Sequence, residues 1–130
     1  MQYVVGRNGN RIAYKISGSP DASIRILFTM GLGGSIVMWE EQEKYFLRKK
    51  GHACVFYENR GIGKSESVEG RWTTKEMAHD ALDVLDNIGW TENVHLVGLS
   101  MTATQQRKKD ETVFSLLAIS RVFSHPLSPY

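Results

Sequence analysis

Cysteine is the scarcest chemistry in this 130-residue chain, with Cys54 standing alone. One thiol excludes an internal disulfide and a cysteine-based zinc site, and it is compatible with a reducing compartment. Charge of one sign is also in short supply. The balance is +2, from 16 basic and 14 acidic residues, so no bulk field favours nucleic acid or a membrane surface. The one tight basic run, Arg107-Lys108-Lys109, is followed at once by Asp110 and Glu111 and reads as a solvated helix face. No apolar run approaches the length that spans a bilayer. The start, Met1-Gln2-Tyr3-Val4-Val5-Gly6, lacks a charged segment leading into an apolar core, so no signal peptide is expected and the expected location is cytoplasmic. His52, His79 and His95 do not fall at a metal-ligand spacing, so neither a metal nor another cofactor is expected. There is no internal repeat, low-complexity tract or linker, and the length suits one domain.

What is present is an alternation of short apolar runs with helical patterns. Tyr3-Val4-Val5 and Arg11-Ile12-Ala13-Tyr14-Lys15-Ile16 flank a glycine- and asparagine-rich loop and read as an antiparallel hairpin. Ile24–Thr29 and Ala53–Tyr57 are nearly continuous in apolar character, as strands buried on both faces of a parallel sheet should be. Between them Ser35 can cap a helix with Trp39, Phe46 and Leu47 on its apolar face, stopped by Gly51. Thr73-x-x-Glu76 is a capping box. Met77, Ala81, Leu85 and Ile88 then recur near helical spacing, widened by Leu82 and Val84, and Gly89 closes the helix. Asn93–Val97 is a further strand, and Thr112–Ser120 reads as one more buried strand. The expected fold class is α/β, three-layered, with a mostly parallel sheet and an N-terminal antiparallel hairpin.

Three loops carry the chemistry. Met30-Gly31-Leu32-Gly33-Gly34-Ser35, Glu58-Asn59-Arg60-Gly61-Ile62-Gly63-Lys64-Ser65 and Gly98-Leu99-Ser100-Met101-Thr102 all follow strands, so all three are expected at the one sheet edge where sites on such sheets lie. Gly63-Lys64-Ser65 suggests a phosphate loop, but the glycine that motif needs five residues earlier is Glu58, a carboxylate where phosphate would sit. The Ser100 segment has the layout of a nucleophile elbow. A strand turns sharply into a helix, the bend lifts a serine hydroxyl clear of the sheet, and the next N–H is free to meet an oxyanion.

On these blocks the chain resembles the α/β-hydrolase fold family. The resemblance covers about residues 1–101 and rests on Met30-Gly31-Leu32-Gly33-Gly34 with Trp39 downstream, on Tyr57–Ser65, on Thr73–Asp80 with Leu85 and Gly89-Trp90, and on His95–Met101. Residues 112–119 also look like that family's strand after the elbow helix. The resemblance implies a serine esterase-type site acting on a small acyl or ester substrate. Ser100 would be the nucleophile, and the backbone N–H groups of Gly31, Leu32 and Met101 would form the oxyanion hole. An acid and then a histidine would follow later in the chain.

Residues 102–130 depart from the pattern. Thr102 stands where the elbow's last glycine would be, and a β-branched side chain there pushes helix and strand apart. Asp110 lies ten residues past Ser100, at the far end of a helix about 15 Å long, out of reach as the triad acid. His125 follows the last expected strand at the correct sheet edge and is the candidate base. The family's later strands and cap have no counterpart, so the expected domain, 1–130, is a shortened α/β-hydrolase with impaired or no turnover. The alternative is a non-catalytic binding module that self-associates through the open edge strand 113–119.

Overall fold

The computed structural model describes residues 1–19, 21–30, 34–66, 74–100 and 115–117. A hairpin of β1 (Gln2–Val5) and β2 (Arg11–Gly18) leads into β3 (Ile24–Met30), a 3-10 turn (Ile36–Trp39), α1 (Glu40–Leu47), β4 (His52–Tyr57), α2 (Thr74–Ile88), β5 (Val94–Ser100) and β6 (Ser115–Leu117). The six strands form one sheet in the order β1-β2-β4-β3-β5-β6.

The α/β sheet carries the expected N-terminal antiparallel hairpin and is mixed. β3 runs parallel to both β4 and β5, while β1–β2, β2–β4 and β5–β6 pair antiparallel. The parallel centre has a local cause, since the second of its two connections carries α2 with its apolar stripe on the sheet and the first packs Ile36, Trp39 and Phe46 on the other face. Residues 102–110 carry no such stripe. A crossover there would bury little, and of the strand expected over 112–119 the described residues, β6, run antiparallel beside β5.

Strand alternation divides the core into two layers, one on each face of the sheet. On one face Ile26, Phe28 and Met30 of β3 and Cys54 and Phe56 of β4 pack with Trp39, Ile36 and Phe46. Phe28 stacks on Phe56 at 4.7 Å and meets the edge of Trp39 at 5.0 Å. On the other face Ile12, Tyr14, Leu27, Ala53, Val55, Tyr57 and Val94 pack with Val84 and Leu85 of α2, joined by Ala81 and Ile88. The continuous apolar runs of β3 and β4 therefore have the cause expected of them: both of their faces are covered.

The helix caps follow local chemistry. The Ser35 hydroxyl accepts from the Val37 N–H ahead of the 3-10 turn. At the end of α2, Gly89 takes φ +78°, its N–H reaches the Asp86 carbonyl, and the Trp90 N–H reaches the Leu85 carbonyl. That is a Schellman cap, sealed by burial of Trp90 and Leu85 in one cluster. Leu47, expected on the buried face of α1, is 55% exposed, because the helix turns only Phe46 of its last residues inward. No helix among the described residues is long and apolar enough to cross a membrane.

Candidate active site

The site is built at the carboxyl ends of three neighbouring parallel strands. β3 ends at Met30, β4 at Tyr57 and β5 at Ser100. Met30 is in register with Leu99, so the residue that opens the first glycine loop stands beside the residue preceding Ser100. The strand expected to stop at Val97 continues to Ser100, because β6 pairs with its last three residues, Gly98 with Leu117, Leu99 with Leu116 and Ser100 with Ser115. Of the other expected site residues, Gly31, Leu32, Met101 and His125 lie outside the described residues.

The polar side chains of the second glycine loop turn inward. Glu58, Asn59, Arg60 and Ser65 are all buried. A buried polar group without a partner costs about 1–3 kcal/mol, so each must be matched. Asn59 Nδ2 donates to the Met30 carbonyl at 2.8 Å. The Glu58 carboxyl oxygens accept from Ser35 Oγ at 3.2 Å and from the Ile36 N–H at 3.3 Å. Ser65 Oγ donates to the Glu58 carbonyl at 2.7 Å and accepts from the Ala13 N–H at 2.9 Å, bridging β2 and β4 where their ladder ends. The loop is closed on itself by Ile62 N–H to the Asn59 carbonyl and Ser65 N–H to the Ile62 carbonyl. Gly63-Lys64-Ser65 thus belongs to a turn packed on its own carboxyl group. An ideal Cβ at Gly63 would lie 2.5 Å from Glu58 Oε1, and no phosphate-sized space separates the two.

Beneath the loop, Arg60 binds Asp80 of α2 through two bonds, Nε to Oδ2 at 2.5 Å and Nη2 to Oδ1 at 2.9 Å, with both side chains 3% exposed. The bond to Asp80 raises the Arg60 pKa against the opposing effect of burial, so the guanidinium stays charged. Next to it, burial pushes the Tyr57 phenol up, partly offset by a hydrogen bond with Thr29 and reinforced by the charge of Asp80. A second tie, Arg7 Nε and Nη2 to Asp83 Oδ1 at 3.0 and 2.8 Å, fastens the hairpin loop to the same helix.

Sequence reasoning placed the three loops at one edge but did not find these ties. Asp80 carried a legible signal. It falls three residues after Met77 and four before Val84, on the apolar stripe of α2, where a carboxylate must have a cation partner. Asn59 carried none, since its partner is a backbone carbonyl 29 positions away. Among the described histidines, His52 opens β4 at the opposite end of the sheet, His79 precedes Asp80 in α2 and His95 lies five residues before Ser100 within β5. Among the described residues no group of three or more His, Cys, Asp or Glu side chains is placed to hold a metal ion.

A doubly covered sheet with a parallel centre, glycine loops at its carboxyl edge and a serine at the end of the strand beside β3 defines a class of α/β domain. The family model described as "alpha/beta hydrolase fold" matches residues 24–105, and the chain belongs to that family. It is 34% identical over 86 residues to a protein named "Putative carbamate hydrolase RutD" from Variovorax paradoxus, an overlap of 65% of this chain and 31% of that one. It is 38% identical over 84 residues to the bifunctional esterase/perhydrolase DCH of Acinetobacter calcoaceticus, covering 65% of this chain and 29% of the other. The solved enol-lactonase of Burkholderia xenovorans superposes with a TM-score of 0.68 at 27% identity, covering 77% of this chain and 37% of that one. The chain thus spans about a third of the length of these relatives.

Proposed function

We propose that this chain carries the nucleophile side of a serine hydrolase site for an ester or related acyl bond in a small molecule. Ser100 attacks the acyl carbon, and the backbone N–H groups of Gly31, Leu32 and Met101 hold the oxyanion. One such donor is worth about 3–4 kcal/mol of transition-state stabilisation. The observation that carries the reading is the register of Met30 with Leu99, which brings the start of the first glycine loop alongside Ser100. An esterase/perhydrolase and an enol-lactonase among the similar proteins support the acyl bond as the target class. The proposed domain is residues 1–130, resembling the family over about 1–101 and divergent over 102–130, with His125 the candidate base. A serine hydroxyl is a weak nucleophile unless a base activates it, and Thr102 in place of the elbow's last glycine is read as impairing turnover. The reading includes a cytoplasmic setting, with which the single thiol of Cys54 is compatible.

A fluorophosphonate probe tests the reading, since it reacts covalently with an activated serine. The expected result is slow labelling of the folded protein that disappears in Ser100→Ala. Absence of labelling, or equal labelling of the variant, removes the hydrolase reading. One observation favours a second reading. Among the described residues β6 is the outermost strand, hydrogen-bonded on one side to β5, so its other edge can pair with a second copy. Light scattering on a size-exclusion column decides it, and a monomer at all concentrations rejects self-association through 113–119.

A further inference from the structure

We propose that Glu58 and Asn59 are positioning residues that clamp the two ends of the first glycine loop. The clamp rests on the hydrolase reading only for its catalytic consequence. Residue 30 lies before that loop and residues 35 and 36 after it, and all three are held by two consecutive residues of one neighbouring segment. Asn59 fixes the leaving end through the Met30 carbonyl, at 2.8 Å. Glu58 fixes the returning end through Ser35 Oγ and the Ile36 N–H, at 3.2 and 3.3 Å. Both clamp residues are themselves immobilised, Asn59 by the Ile62 N–H, which donates to its carbonyl at 3.0 Å. Glu58 N–H donates to the Ala13 carbonyl at 2.9 Å, and Ser65 Oγ grips the Glu58 carbonyl at 2.7 Å.

The clamp fixes the two anchor points between which the loop must span. An oxyanion hole acts only when its donors already stand about 3 Å from the developing charge. A pair of residues that touches neither substrate nor nucleophile can therefore act on the reaction through the loop. Gly63 completes the device. Its backbone packs directly on the Glu58 carboxyl, at a φ of +54° that disfavours side chains. A methyl there would meet the far end of the Glu58 side chain and push it off Ser35 and Ile36, leaving the Glu58 backbone in place.

Hydrogen exchange and fluorophosphonate labelling of the same variants test the clamp. In Glu58→Ala, Asn59→Ala and Gly63→Ala, amide exchange over residues 30–38 is expected to quicken at least tenfold, while exchange over β2 (residues 11–18) stays at the wild-type rate. Glu58→Gln, which keeps one acceptor and the side-chain shape, restores at least part of the protection. Unchanged exchange over 30–38, or equal acceleration of both segments, overturns the clamp and leaves these residues a general stabilising role. Where wild type labels at Ser100, the three variants are expected to label at least tenfold more slowly, and wild-type rates in all three overturn the proposal. A wild type that does not label sinks the hydrolase reading alone, and the exchange ratio still decides the clamp.

Discussion

Removing one partner of the Arg60–Asp80 pair should be among the most damaging single changes in this protein. Both side chains are 3% exposed and meet through two bonds, 2.5 and 2.9 Å long. Taking each charge out of water costs several kcal/mol, and only the partner repays it. Asp80→Leu leaves a guanidinium buried without its counter-charge. Arg60→Leu leaves Asp80 on a helix that also carries Glu76 and Asp83, both close enough to act on Arg60. Each single change is expected to cost about 3–5 kcal/mol. For domains stable by about 0.05–0.15 kcal/mol per residue, that is a large share of the total. With a urea slope of about 1–3 kcal/mol per molar, the unfolding midpoint should fall by roughly 2 M. The double variant, Arg60→Leu with Asp80→Leu, removes both desolvation costs and should recover most of the loss, so the double-mutant cycle returns a large coupling energy. Urea titrations followed by tryptophan fluorescence and far-UV circular dichroism measure all four proteins. Singles within about 1 kcal/mol of wild type, or a double no better than the worse single, would refute the claim that this pair is a matched buried charge.

Two further outcomes follow from groups on the α1 face of the sheet. Burial of Glu43 resists its ionised form, but the hydrogen bonds from Lys15 and Ser17, at 2.7 and 2.6 Å, outweigh it and the pKa is lowered from 4.5. A carboxylate held below its unfolded value stabilises the fold above about pH 4.5, and that contribution is lost as pH falls through the lower folded value. Urea midpoints should therefore drop between pH 7 and pH 3, less steeply in Glu43→Gln, and identical profiles would count against the Lys15–Glu43–Ser17 tie. Burial, followed by the nearby charge of Glu43, pushes the Cys54 thiol up from 9.0 to about 12. At pH 8 the thiolate fraction in the native protein is then about a thousandfold below that of an unfolded chain. Iodoacetamide should leave native Cys54 unmodified and alkylate it readily in denaturant, and fast native alkylation would show an accessible thiol.

The amino-acid sequence by itself determined the elements. Period-two and continuous apolar runs specified β2, β3 and β4, a 3.6-residue stripe specified α2, and Ser35 and Gly89 marked where helical structure begins and ends. These are local signals, set by which side chains must leave water within one or two turns of chain. They also put three glycine loops at strand ends, and therefore at one edge of any parallel sheet built from those strands. Tertiary structure alone decided which strands became neighbours, which way β6 ran and what the inward-facing polar residues of the second loop were for. Strand order β1-β2-β4-β3-β5-β6 depends on contacts far apart in the chain, to which side-chain periodicity is blind. Asn59 on the Met30 carbonyl and Glu58 on Ser35 and Ile36 depend on the same distant geometry. A hydrogen bond needs its two atoms within about 3 Å, and only the assembled sheet brings them there.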